Sequence, residues 1–217
     1  MRIKFTVRLF GLAVGLAMVA LGTAGLAQAD TINGSPTGLA SPAETITFDE
    51  ILLPMNTTLT NQYASLGVTF SPNVFYSPQT GFGNVQGNDI GNFTFNGQGP
   101  TDPVTISFTG ALSAAAFSMD GDFTPYLFEA LLGGSVVDSF TASSVGVSNS
   151  DFYGFSNENF DAIRITRTGA GDGPFWVADN IQLSSSVRTV SEPATLLMLG
   201  LGLTTIGIMF RRRKVVA

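Results

Sequence analysis

The chain has 217 residues and carries 10 basic against 16 acidic side chains, a formal charge of −6, with neither histidine nor cysteine. Those two absences exclude thiol nucleophiles, disulfide staples, cysteine- or histidine-ligated zinc and the usual histidine-based triads. The basic residues are also unevenly placed. Only Arg164, Arg167 and Arg188 fall between Asp30 and Val190, against fifteen acids, so the central region repels nucleic acid and suits divalent cations.

The first segment reads as a targeting device. Arg2, Lys4 and Arg8 form a positive start, residues 9–26 are apolar and rich in Gly and Ala, and Ala27-Gln28-Ala29 is a small-x-small cleavage site. This is the layout of a secretory signal peptide over residues 1–29, with Asp30 as the mature N-terminus. It calls for the Sec translocon and signal peptidase as partners.

Residues 30–43 are rich in Gly, Ser, Pro and Thr and are expected to be a mobile leader. Residues 44–184 then alternate short β-branched or aromatic runs with turn formers. Ile46-Thr47-Phe48, Val68-Thr69-Phe70 and Val104-Thr105-Ile106-Ser107-Phe108 have a period of two. Residues 115–119, 126–132, 136–140, 162–166 and 175–183 complete the set. Gly133-Gly134 between two of these runs predicts a tight hairpin.

Residues 81–100 hold six glycines and repeat asparagine at 84, 88, 92 and 96. The glycines argue against a helix, so the segment is expected to be a long loop with one short strand at Asn92-Phe93-Thr94-Phe95. Residues 139–150 are Ser/Thr-rich and read as another loop. No stretch has sustained helical periodicity, and many short strands at this spacing predict an all-β fold, a single β-sandwich or jelly roll.

After a linker at residues 185–190, Ser191-Glu192-Pro193-Ala194-Thr195 precedes an uncharged run, residues 194–210, closed by Arg211-Arg212-Arg213-Lys214. That run makes about 26 Å of helix at about 1.5 Å per residue, near the lower limit for a bilayer span. The basic stop belongs on the cytoplasmic side, which places Glu192-Pro193 at the outer face of the membrane. A plain C-terminal anchor has the same outline.

The ordered combination of Glu192-Pro193, the Gly-rich apolar run and the terminal Arg cluster resembles the PEP-CTERM sorting signal of exported Gram-negative proteins. Ser191 stands where that family has its first proline. The resemblance, over residues 191–214, implies handling by an exosortase, a membrane-embedded transpeptidase-like enzyme. It also implies delivery to the outer cell surface or into an exopolysaccharide matrix, after a transient stay at the inner membrane.

A second, shorter resemblance is carried by Phe175-Trp176-Val177-Ala178-Asp179-Asn180, which is similar to the closing strand of secreted carbohydrate-binding-type jelly rolls. It implies a structural calcium between Asp179 and Asp49 or Glu50. The plainer reading is that Asp179-Asn180 caps a turn through side-chain to backbone bonds. Trp176 and Tyr126, with Tyr153 and Tyr76, are candidates for a sugar-stacking platform, or else core. Asp120-Gly121-Asp122 is a pair of acids that could ligate a cation, or an ordinary turn. Glu129 interrupts an apolar run and is the best-placed glycosidase carboxylate, although alternation turns it to solvent. The function expected is a non-catalytic, polysaccharide-associated surface module. A purely structural matrix or adhesin subunit and a glycan hydrolase are the alternatives.

Overall fold

The computed structural model describes residues 30–78, 83–94, 96–97, 99–121, 124–144, 151–169 and 175–185. The segment expected to be a signal peptide, most of the expected linker and the sorting tail lie outside them. Among the described residues no helix is long and apolar enough to cross a membrane.

Eleven strands form one continuous antiparallel sheet: β1 (Asp30–Ser35), β2 (Glu44–Ile46), β3 (Thr58–Leu59), β4 (Val68–Phe70), β5 (Val74–Ser77), β6 (Asp89–Gly91), β7 (Val104–Gly121), β8 (Pro125–Leu132), β9 (Ser135–Ser143), β10 (Phe152–Arg167) and β11 (Trp176–Leu183). The main order is β3-β5-β6-β11-β7-β10-β8-β9, with β1 on β10, β2 on β11 and β4 on β7. The all-β sandwich expected from the alternation is what this chain forms, by an unusual route.

Two strands are too long for one layer. β7 has 18 residues and β10 has 16. Their mutual register is regular from Phe152↔Ser118 to Ser156↔Ala114, shifts on either side of Phe160↔Leu112, and resumes at Ala162↔Ser107. Such irregularities bend a strand pair and raise its twist. The sheet folds over at this corner. One layer holds β1, the first part of β10, the last part of β7, β11 and β6; the other holds β4, the first part of β7, the last part of β10, β8 and β9.

Aromatic packing across the gap confirms the folding-over. Phe128 of β8 stacks on Tyr153 of β10 with ring centroids 5.1 Å apart, and on its cross-strand neighbour Phe140 at 4.9 Å. Phe117 of β7 comes within 6.2 Å of the same ring. Inward positions alternate as a half-buried strand requires: Tyr126, Phe128 and Ala130 on β8 are all 1% exposed or less.

Four expectations need correction. Residues 30–35 are not a mobile leader but β1, paired with β10 from Asp30↔Ser156 onward. Residues 37–39 are fastened too, because the Leu39 amide donates to Gln182 Oε1 at 2.6 Å and Gln182 Nε2 donates to the Thr37 carbonyl. Gly38 is required between them, since a Cβ there would collide with Gln182 and Phe152. The two runs 104–108 and 115–119 are one strand, with Gly110 and the small residues after it spanning the bend. In the asparagine-rich loop the strand lies at Asp89–Gly91 rather than 92–95, of which Phe95 lies outside the described residues. The loop expected from residue 139 starts later, as β9 runs to Ser143. The Gly133-Gly134 hairpin forms as expected, with both residues at positive φ (56° and 82°), the pairing that a two-residue turn demands.

Because Phe128 touches both layers, Phe128→Ala is expected to cost about 3–5 kcal/mol. In urea denaturation the midpoint should fall while the slope stays constant.

Candidate functional site

The sequence singles out Asp49, Glu50 and Asp179 as a possible cation set, and the fold does bring them to one region. Their placement begins with Phe48. It is fully buried yet sits at φ 61°, a left-handed conformation that a bulky residue adopts only when its surroundings impose it. Tyr63 supplies that constraint. Its hydroxyl donates to the carbonyls of Phe48 (3.2 Å) and Ile51 (3.0 Å), and its ring meets Phe48 edge-on at 5.0 Å. The Tyr76 hydroxyl also reaches the Phe48 carbonyl. Burial and the carboxylates nearby hold the Tyr63 hydroxyl protonated well above the normal tyrosine range, so it remains a donor.

The turn that follows is closed locally. Glu50 Oε1 accepts from the Thr47 amide and hydroxyl at 2.9 and 3.0 Å. Asp49 Oδ1 accepts from the side chain and the amide of Asn88. Facing them from β11, Asp179 is buried on the outer side of its layer. Its Oδ2 accepts from the Gln86 amide at 3.2 Å and its Oδ1 from the Asn180 amide at 2.6 Å. Asn180 has φ 52° and occupies the register shift between Asp179 and Gln182, and its Nδ2 donates to the Asn84 carbonyl. The Asp-Asn pair therefore builds a β-bulge and ties the 83–88 loop over the strand, close to the turn-capping reading.

Burial, followed by repulsion from Asp49 and Glu50, pushes the Asp179 carboxyl up to about 7, against the two amides that favour its ionised form. The three acids thus feel one another through space. They do not converge as ligands: among the described residues no group of three His, Cys, Asp or Glu is placed to hold a metal ion. Coulomb repulsion acts over several ångströms, whereas calcium needs six to eight oxygens at about 2.4 Å. The residues as placed, already engaged with amides and Thr47, do not fit a calcium centre.

The expected sugar platform is also corrected. Trp176 and Tyr126 are 2% and 1% exposed, and Tyr76 and Tyr153 are equally buried. Trp176 and Tyr126 occupy inward positions of β11 and β8, so their flat faces are core surface. Asn92 holds the entrance to β11, its Oδ1 accepting the Trp176 amide at 3.0 Å while its Nδ2 donates to the Thr101 carbonyl. Asn88 and Asn92 are the residues that sequence reading missed. Their recurrence in a glycine-rich segment was the available signal, because a loop lying on a sheet needs side chains to satisfy the backbone groups it covers.

Asp120 is buried and accepts from Ser144 Oγ at 3.4 Å; Asp122 and Phe123 lie outside the described residues. Glu129 is half-buried on the outer side of β8 and paired with Arg164 Nε at 2.6 Å. The sorting residues Ser191 to Thr195, the expected cleavage residues Ala27 and Ala29 and the expected basic stop at 211–214 all lie outside the described residues.

Comparison with known proteins places the rest. Residues 189–214 match the family model described as the PEP-CTERM protein-sorting motif. The described residues form an all-β fold and the chain carries that motif, which implies export and processing by an exosortase. No curated protein matches it. Among solved structures it is similar to one described as "X-ray structure of GH31 CBM32-2 bound to GalNAc", at 12% identity and TM-score 0.31, over 73% of this chain and 98% of that one. The sugar in that description belongs to that protein.

A raised Asp179 pKa means the folded state holds a proton that the unfolded state has lost. The proton's preference for the folded state stabilises the fold below about pH 4 and is lost as pH rises to about 7. Asp179→Asn removes it, at the cost of one accepted amide bond. The Tm of the variant minus that of the parent should therefore rise between pH 4 and 7 and level off above. A difference independent of pH would show that Asp179 ionises normally. Tyr63→Phe leaves the Phe48 turn short of its main donor and should cost about 1–2 kcal/mol at any pH below 9.

Proposed function

We propose that this is an exported, non-catalytic β-sandwich module, delivered to the cell surface or matrix, which associates with extracellular polysaccharide. The observation that carries the reading is the sorting motif at residues 189–214, starting shortly after the last strand closes at Leu183. The tail is an address with a processing step, and the domain is its cargo. A domain with neither histidine nor cysteine is poorly supplied for catalysis, and Glu129 is committed to Arg164. An acidic surface, free of lysine between Asp30 and Val190, favours staying soluble among polysaccharides over adhering to nucleic acid.

With the four expected rings buried, Phe175 is the exposed aromatic left among the described residues. It is 38% exposed and meets Phe93 edge-on at 5.1 Å. An aromatic edge of this kind offers a sugar ring an apolar face. The burial of Trp176, Tyr126, Tyr153 and Tyr76 equally favours the second reading, a structural matrix subunit without a sugar site.

The intact mass of the protein from its native host should correspond to a chain from Asp30 to a point near Glu192, and Pro193→Ala should leave the tail attached. The processed protein should sediment with the host's purified exopolysaccharide, and Phe175→Ala should weaken that association several-fold. Association unchanged by Phe175→Ala would remove the ring as a contact. No association at all would leave the structural reading.

A further inference from the structure

Both targeting segments leave the sandwich from the same end. Asp30, the first residue of β1, pairs with Ser156 of β10, and Ser156 pairs with Ala114 of β7. The Ala114 carbonyl accepts the Ser184 amide at 2.9 Å, and Ser184 Oγ accepts the amides of Ser113 and Ala114. These residues form one row across the sheet. The two exits are therefore three strand spacings apart, about 14 Å. The row lies at the corner where β7 and β10 change layers.

The tethers are short. Three residues, Ala27 to Ala29, separate the apolar run of the signal peptide from β1, and residues 185–193 reach at most about 30 Å before the apolar tail segment. Either tether holds the same end of the domain toward the bilayer, and once the signal peptide is removed the C-terminal tether alone does so.

The same end carries apolar surface. The β8–β9 hairpin tip is fixed there by the Gly133 amide donating to Asp161 Oδ2 at 2.9 Å, beside the corner of β10. Around that tip Leu132, Val136 and Val137 are 37%, 48% and 38% exposed. Three exposed aliphatic side chains within one hairpin tip, on both of its faces, give the tip an apolar end that a surface can cover. Asp138 and Asp161 next to them oppose anionic headgroups, so the surface fits a zwitterionic one. The opposite end, where the Tyr126 hydroxyl donates to the Phe175 carbonyl, then faces away.

We infer that the corner end of the sandwich is its membrane-facing surface while the chain is tethered, with the Leu132–Val137 hairpin tip resting on zwitterionic headgroups. This rests on the reading of residues 1–29 and 189–214 as membrane segments.

The absence of cysteine makes the test clean. Full-length chain carrying Val136→Cys or Phe175→Cys, each labelled with an environment-sensitive fluorophore, is inserted into phosphatidylcholine vesicles containing headgroup-level nitroxide lipid. The label at 136 should be quenched several-fold more than the label at 175. Adding anionic lipid should reduce that quenching. Protein that floats with the vesicles but shows equal or reversed quenching overturns the orientation alone. Protein that does not float overturns the tethers and the orientation together.

Discussion

The bend shared by β7 and β10 decides almost everything else about this domain. Each strand donates one half to either layer, so neither layer has an independent ladder of hydrogen bonds. The register shifts around Phe160 let the pair turn over, and they set the phase in which side chains point inward on both sides of the turn. Phe128, Tyr153 and Phe117 meet because of that phase. Slipping either strand by one residue would expel this cluster from the interior. The layers are accordingly expected to fold and unfold together.

The outer side of the first layer shows how the sheet tolerates polar groups indoors. Ser118, Asp120, Asp179 and Gln182 are all buried there, beneath loops rather than beneath another sheet. Each loop brings matched groups: the 37–39 segment to Gln182, and residues 84–86 to Ser118 and Asp179. A buried polar atom is tolerable when its partner arrives with the covering chain. Asp179 is the position where the match is incomplete, because a buried carboxylate faces two others, and its proton affinity rises accordingly.

Strand identity was legible wherever apolar and polar residues alternated, as in residues 104–108 and 126–132, and the hairpin was legible from its two glycines. The start of β10 was not. Gly154 sits where a Cβ would strike the Ala115 carbonyl, and Ser156, Asn157, Glu158 and Asn159 run into the bend, where the inward-outward alternation is interrupted. β1 is mostly exposed and polar because it pairs on one side only, with β10, and composition alone made it look like leader. The sugar platform failed on a different point: an aromatic residue reveals that it has a flat face but not which side of a strand it occupies. The sorting tail needed no fold to be read, since its signal is linear.

Arg164 and Arg167 are the basic side chains within residues 30–185, and both lie in β10, hydrogen-bonded to β8, with Arg164 held by Glu129. Proteases that cut after lysine or arginine need several residues of extended, accessible chain, usually at loop tips. Every loop of this domain lacks a basic residue. In surroundings that contain trypsin-like enzymes, the folded domain therefore offers them no basic loop tip, and the first basic residue after it is Arg188 in the linker, where a cut would separate the domain intact from its tail.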